Sequence, residues 1–202
     1  IKTRLGVDDC DSYQYMSDFV GRVAESGCDV FVMHARKAFL AGLSPKQNRD
    51  VPPLRYDWVY RLKQEMPGLQ ITINGGIDSV AAVKNHREHV DGVMLGRAAY
   101  HTPWLLAECQ NQVFDKKTRL EREDIIESMK TYIEHQVHEG VAVKHISRHL
   151  LGLFQGLPGA KAWRRYLSEN AYRDDDNTEL LNQALVAMKT AAGRSRCTEA
   201  AQ

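Results

Sequence analysis

Four places in this chain set reactive or phosphate-binding side chains directly after a short apolar run. Lys2 stands in the opening Ile1-Lys2-Thr3. His34-Ala35-Arg36-Lys37 follows Val30-Phe31-Val32-Met33, Asn74-Gly75-Gly76 follows Ile71-Thr72-Ile73, and Gly96-Arg97 follows Val93-Met94-Leu95. A lysine ammonium suits an electron-rich carbonyl or an anionic ring, and a histidine suits the same group or a phosphate oxygen. Paired glycines let backbone N–H groups come close to a phosphate, and an arginine adds charge-assisted hydrogen bonds. Taken singly, each has a plainer explanation: an ion-paired lysine, a histidine bonded to backbone, a Gly-Gly turn. Two glycine sites after consecutive apolar runs favour a phosphate.

The elements that would position these residues are short. Asp29–His34, Leu69–Asn74 and Asp91–Gly96 are rich in Val, Ile or Met and bounded by Gly, Asp or Pro. Such runs are expected of parallel strands buried on both faces, and Ile1-Lys2-Thr3 reads as a strand end. Between them lie helical patterns. Tyr15, Met16, Phe19, Val20, Val23 and Ala24 recur at helix spacing, with Asp11 and Gln14 as a capping box and Gly27 as a stop. Tyr56 to Met66 repeats the pattern, Asp78 is expected to cap a short helix through Val83, and Trp104–Val113 follows Pro103. Four β-α units without a GxGxxG fingerprint predict an α/β fold, the C-terminal half of a TIM (β/α)8 barrel followed by an all-helical domain. In barrels the chemistry sits at the C-terminal strand ends, where all four clusters fall. The expected organisation is a half-barrel over 1–115, a helical domain over 116–193 and a disordered tail over 194–202. The helical part is read as Arg122–Glu139, Lys144–Gln155, Ala160–Ser168 and Thr178–Ala192.

The charge is local rather than global, since the net charge is only +1. The Leu40–Leu54 loop is long against the ~2–6 residues usual for a βα connection. It carries Lys46 and Arg49 beside Arg36 and Lys37, which suggests a phosphate-rich substrate. From Gly140 to Ser168 the chain has Lys144, Arg148, Lys161, Arg164, Arg165, His145 and His149 and no acidic residue, with Trp163 placed to stack on a base. No apolar run approaches the ~20 residues of a membrane span. The four cysteines make no short-spaced framework, as expected of reduced thiols in the cytoplasm. His135/His138 and His145/His149 have metal-like spacing but no third ligand, so no metal is expected. Cys10 lies among Asp8, Asp9 and Asp11, which oppose a thiolate. The chain opens without a methionine, in what reads as mid-strand, and is expected to be a fragment.

"IKTRLG", "HARKAFLAGLSPKQNRDVPPL", "ITINGGI", "GVMLGRAAY" and "HISRHLLGLFQGLPGAKAWRRYL", in that order, closely resemble tRNA-dihydrouridine synthases of the bacterial A-type subfamily. The resemblance implies an FMN-bearing barrel, reduced by NADPH, that reduces the C5–C6 bond of D-loop uridines in tRNA. It implies that Lys2 and His34 contact FMN, and that Asn74, Gly75, Gly76, Gly96 and Arg97 hold its ribityl-phosphate end. Arg36, Lys37, Lys46, Arg49, Arg164 and Arg165 become candidate tRNA contacts. The family's general-acid cysteine would lie upstream of this chain, and Cys10 and Cys28 do not replace it. The chain alone is therefore expected to be inactive, and the whole enzyme to be a cytoplasmic monomer. The alternatives are a non-catalytic RNA-binding module and another FMN-dependent TIM-barrel oxidoreductase.

Overall fold

The computed structural model describes residues 1–114, 116 and 120–199. They form two compact units, Ile1–Ala98 and the remainder from Ala99. The first holds β1 (Lys2–Arg4), α1 (Tyr13–Glu25), β2 (Val30–His34), α2 (Gln47–Asp50), α3 (Tyr56–Glu65), β3 (Gln70–Asn74), α4 (Val80–Arg87) and β4 (Gly92–Met94). All neighbouring strands are parallel, and their order is β1-β2-β3-β4. A doubly wound sheet reverses direction after its first strands. This one never does, and right-handed crossovers that always step the same way leave their helices on one face. The result is a singly wound arc, the topology of consecutive strands in a (β/α)8 barrel.

The strands alternate in burial. Phe31, Met33, Ile71 and Ile73 are fully buried on the helix-covered face, with Met16 and Val20 of α1, Val59 and Leu62 of α3 and Val83 of α4 also buried. Among the described residues the other face remains partly open. Here no described helix covers it, so Lys2, Arg4, Val32, His34, Thr72 and Asn74 keep some exposure. The register sets these into two rows, Lys2–Val32–Thr72–Gly92 and Arg4–His34–Asn74–Met94.

Two helix starts differ from expectation by one residue. Ser12, in extended backbone, accepts the Tyr15 N–H at 3.1 Å, and Ser79 accepts that of Ala82 at 3.3 Å. Asp11 and Asp78 do not cap, because each precedes the residue whose backbone makes the turn. Gly27, at φ +96°, closes α1 in the left-handed conformation that favours glycine.

The boundary between the units is occupied by α5 (Arg97–His101). The second unit continues with α6 (Trp104–Val113), α7 (Arg122–His138), α8 (Lys144–Ser147), α9 (Ala160–Asn170) and α10 (Leu180–Glu199). Its core gathers Ile126, Ile133, Leu153, Trp163, Leu167, Leu180 and Leu181. α6 belongs here rather than with the strands, for the Arg122 guanidinium lies 4.2 Å from the Trp104 ring. Glu121 and Asp124 close a capping box at the start of α7. The helix expected over Lys144–Gln155 stops at Ser147. Gly152 abuts the His101 carbonyl so closely that a Cβ would come within 2.0 Å of its oxygen, and turns run on to Gly156 and Gly159, both at positive φ. α10 extends to Glu199, so the expected tail over 194–202 begins inside a helix, and residues 200–202 lie outside the described ones. Among the described residues no helix is long and apolar enough to cross a membrane.

Candidate functional site

Period-two alternation along β1 sends Lys2 and Arg4 to the open face. There Lys2 Nζ donates to Asn74 Oδ1 at 3.2 Å, reaching across β2, while Asn74 Nδ2 donates to the Met94 carbonyl at 2.8 Å. The carboxamide thereby ties β1, β3 and β4 together. Burial lowers the Lys2 pKa, and the Arg4 guanidinium lowers it further. Arg4 belongs to the same face, opposite His34 in the register; the alternation Lys2-Thr3-Arg4 is the signal that finds it. Its Nη1 donates to the carbonyls of Lys37 and Asn48, both at 2.8 Å, anchoring the long loop to the first strand.

His34 ends β2 in the same row. Its Nδ1 is enclosed and has no hydrogen-bond partner. Burial pushes its pKa down to about 4, and the nearby cations of Arg4, Lys2, Arg36 and Arg97 act in the same direction. The ring is neutral at neutral pH, with an enclosed nitrogen whose bonding capacity is unmet. Such a nitrogen costs free energy unless a ligand or water meets it.

Gly75 and Gly76 follow Asn74 at φ +117° and +68°. A Cβ on Gly75 would come within 3.2 Å of the His34 ring, and one on Gly76 within 2.8 Å of Leu54. The turn is held from behind, since the Tyr56 hydroxyl donates to the Gly75 carbonyl at 2.6 Å and the buried His86 packs edge-on against Tyr56. Gly96 differs, with open space where a Cβ would go. Arg97 beside it is paired, Nη2 lying 2.7 Å from Asp50 Oδ1 in α2. That bond, with the guanidinium charge behind it, lowers the Asp50 pKa.

The other expected contacts divide sharply. Arg36 Nη1 donates to the carbonyls of Asp50 and Pro52, and its Nε is enclosed without a partner. Lys37 pairs with Asp11 at 2.8 Å and lies over the Phe39 ring. Both residues hold the loop in place. Lys46 and Arg49 are exposed. In the second unit Arg165 is exposed, and Arg164 Nη1 donates to Gln155 Oε1 at 2.5 Å. Trp163 corrects its expectation: it is fully buried, bonds the Leu150 carbonyl through its indole N–H and packs edge-on against Phe154, so it offers no face to a base. Among the described residues no three His, Cys, Asp or Glu gather as a metal site.

A barrel arc with a cationic open face, a neutral histidine with an unmet nitrogen and a glycine turn too crowded for any side chain suits a planar, phosphate-bearing cofactor. Residues 1–191 match the family model described as dihydrouridine synthase (Dus), and the chain belongs to that family. Its four strands are accordingly the C-terminal half of a TIM barrel. It is 50% identical over 192 residues to the tRNA-dihydrouridine(20/20a) synthase of Shewanella oneidensis, covering 94% of this chain and 57% of the relative. The like-named proteins of Xanthomonas axonopodis pv. citri and Vibrio cholerae are 49% and 48% identical, covering 96% and 92% of this chain and 58% and 57% of the relatives. The chain thus spans somewhat over half the length of the curated relatives it matches.

Proposed function

We propose that this chain supplies the FMN-holding half of a cytoplasmic, monomeric tRNA-dihydrouridine synthase, which reduces D-loop uridines with FMN recharged by NADPH. The observation that carries the reading is the Arg4–His34–Asn74 row, with Lys2 bonded to Asn74 and the Gly75-Gly76 turn beside His34. FMN, when bound, supplies hydride for the C5–C6 bond. Lys2 would set a positive charge beside the flavin edge that becomes anionic on reduction, steered by Asn74. Neutral His34 can donate one N–H and accept one bond, which suits a polar ring edge better than a cation would in this crowded positive face. Gly75 and Gly76 would present N–H groups to the ribityl phosphate, together with Gly96 and Arg97. Lys46, Arg49, Arg164 and Arg165 are the expected tRNA contacts; Arg36 and Lys37 would act on tRNA through the loop they hold.

None of Cys10, Cys28 and Cys109 fits the general acid. Cys10 is exposed among three aspartates, Cys28 precedes β2 at the opposite end of that strand from His34, and burial raises the pKa of Cys109. The chain alone is therefore expected to form no dihydrouridine. The visible spectrum of the protein from its longest native reading frame, with the released cofactor identified, tests the assignment. Bound FMN, weakened at least about tenfold by Lys2→Met or Gly76→Ala, is expected. A colourless protein that still binds tRNA would overturn it in favour of an RNA-binding module.

A further inference from the structure

We infer that the helical unit carries its own recess for one unpaired, phosphate-bearing nucleotide of RNA, an inference that rests on tRNA being the substrate. A cavity of about 620 Å³ opens between the α5–α6 junction and the turns that follow α8. Small-molecule sites in proteins typically run from ~300 to ~1,000 Å³, so the space admits a nucleotide and not a duplex. Tyr100, Arg148, His149, Gln155 and Arg164 line it, and no lining residue is acidic.

The hydrogen bonds leave its charge uncompensated. Arg148 Nε donates to His149 Nε2 at 3.2 Å, and Arg164 Nη1 donates to the neutral Gln155. A guanidinium only donates, so His149 Nε2 must be the acceptor and the neutral ring carries its proton on Nδ1. That proton is given to the Tyr100 hydroxyl, 2.9 Å away. The phenol proton is then left to point elsewhere, as a donor. Two full positive charges therefore face the recess with only neutral groups beside them, which selects an anion with several acceptor oxygens. The Tyr100 ring is half exposed and makes T-shaped contacts with His101 and His149, centroids 5.5 and 5.7 Å away. An exposed aromatic ring beside an anion site is how an unpaired base is held by stacking while its phosphate is bonded. The site is also preformed. Gly152, among its lining, lets the chain press onto the His101 carbonyl, and any side chain there would prise the two segments apart.

The test is tRNA binding by anisotropy over a range of salt, with an unmodified transcript and the full-length protein. Arg148→Gln with Arg164→Gln is expected to weaken binding by about 10–100-fold and to reduce the slope of log K against log salt by about 2. Tyr100→Ala is expected to weaken binding about tenfold with the slope unchanged. The paired lysine replacements, which retain charge and lose the fork, should keep the slope. Thermal melts show that each variant is folded. FMN binding by the same variants reports the cofactor reading separately: its absence in every form, with the slope change intact, would sink that reading and leave the recess. Unchanged affinity and slope in folded variants would overturn the recess. So would uridine monophosphate that binds the wild type and not the double variant while tRNA affinity stays the same, which would assign the recess to a free nucleotide.

Discussion

The basic residues of the loop after β2 and those of the helical recess look alike in sequence, and the structure uses them in opposite ways. Arg36 bonds two backbone carbonyls and Lys37 pairs with a carboxylate, so their charge is committed to holding a loop. Arg148 and Arg164 rest on a neutral imidazole and a neutral carboxamide, so their charge remains available to an anion. Local basicity therefore says little about availability; what each side chain is already bonded to, and whether that partner belongs to a loop it holds, decides it.

The largest expected effect comes from the residue that sits among the second group without belonging to it. Trp163→Ala should cost about 3–5 kcal/mol, read as a lowered melting midpoint, because a fully buried indole leaves a cavity and an unmet carbonyl. A change near zero would return Trp163 to the surface and to base stacking. Arg36→Leu comes next, at about 1.5–3 kcal/mol for the lost charged hydrogen bonds, with the tRNA salt slope unmoved. A reduced slope at full stability would instead make Arg36 a phosphate contact.

His34 supplies a test by pH. Its folded pKa of about 4 lies below the ordinary 6.5, so between those values the unfolded chain holds a proton that the folded chain does not. Stability is unaffected above about pH 6.5 and falls as the pH drops from there to about 4. The slope stays below ~1.4 kcal/mol per pH unit, the one-proton limit, because His34 is partly exposed. Urea melts of the wild type and His34→Asn should diverge only within that window. A His34 curve parallel to the variant's would remove the histidine's burial as the cause. The smallest effect is the Lys37–Asp11 coupling, expected at about 0.5–1 kcal/mol in a double-mutant cycle, since both side chains are one-fifth exposed.

The strands were legible within a residue or two, because short Val/Ile/Met runs bounded by Gly and Asp have few other solutions. Trp104–Val113 falls where Pro103 starts it. That Lys2, His34, Asn74, Gly75 and Gly76 lie in or directly after the strands could be read in advance, because strand ends need no tertiary information. What stayed illegible depends on distant partners. The turns after α8 bring Gly152 against the His101 carbonyl, some fifty residues earlier in the chain. The caps at Ser12 and Ser79 turn on which of two adjacent polar residues takes extended backbone. Arg4 hides because its bonds go to Lys37 and Asn48, both beyond local pattern.

Arg97 has one guanidinium and, on the proposed function, two claimants. Asp50 holds it now, and Asp50 belongs to α2, the four-residue helix that also carries Arg49. Any phosphate that recruits Arg97 through that same edge must evict the carboxylate and loosen α2 from β4's end. Linkage makes the rivalry mutual: whatever pins α2 in its present place weakens the phosphate's hold by the same factor.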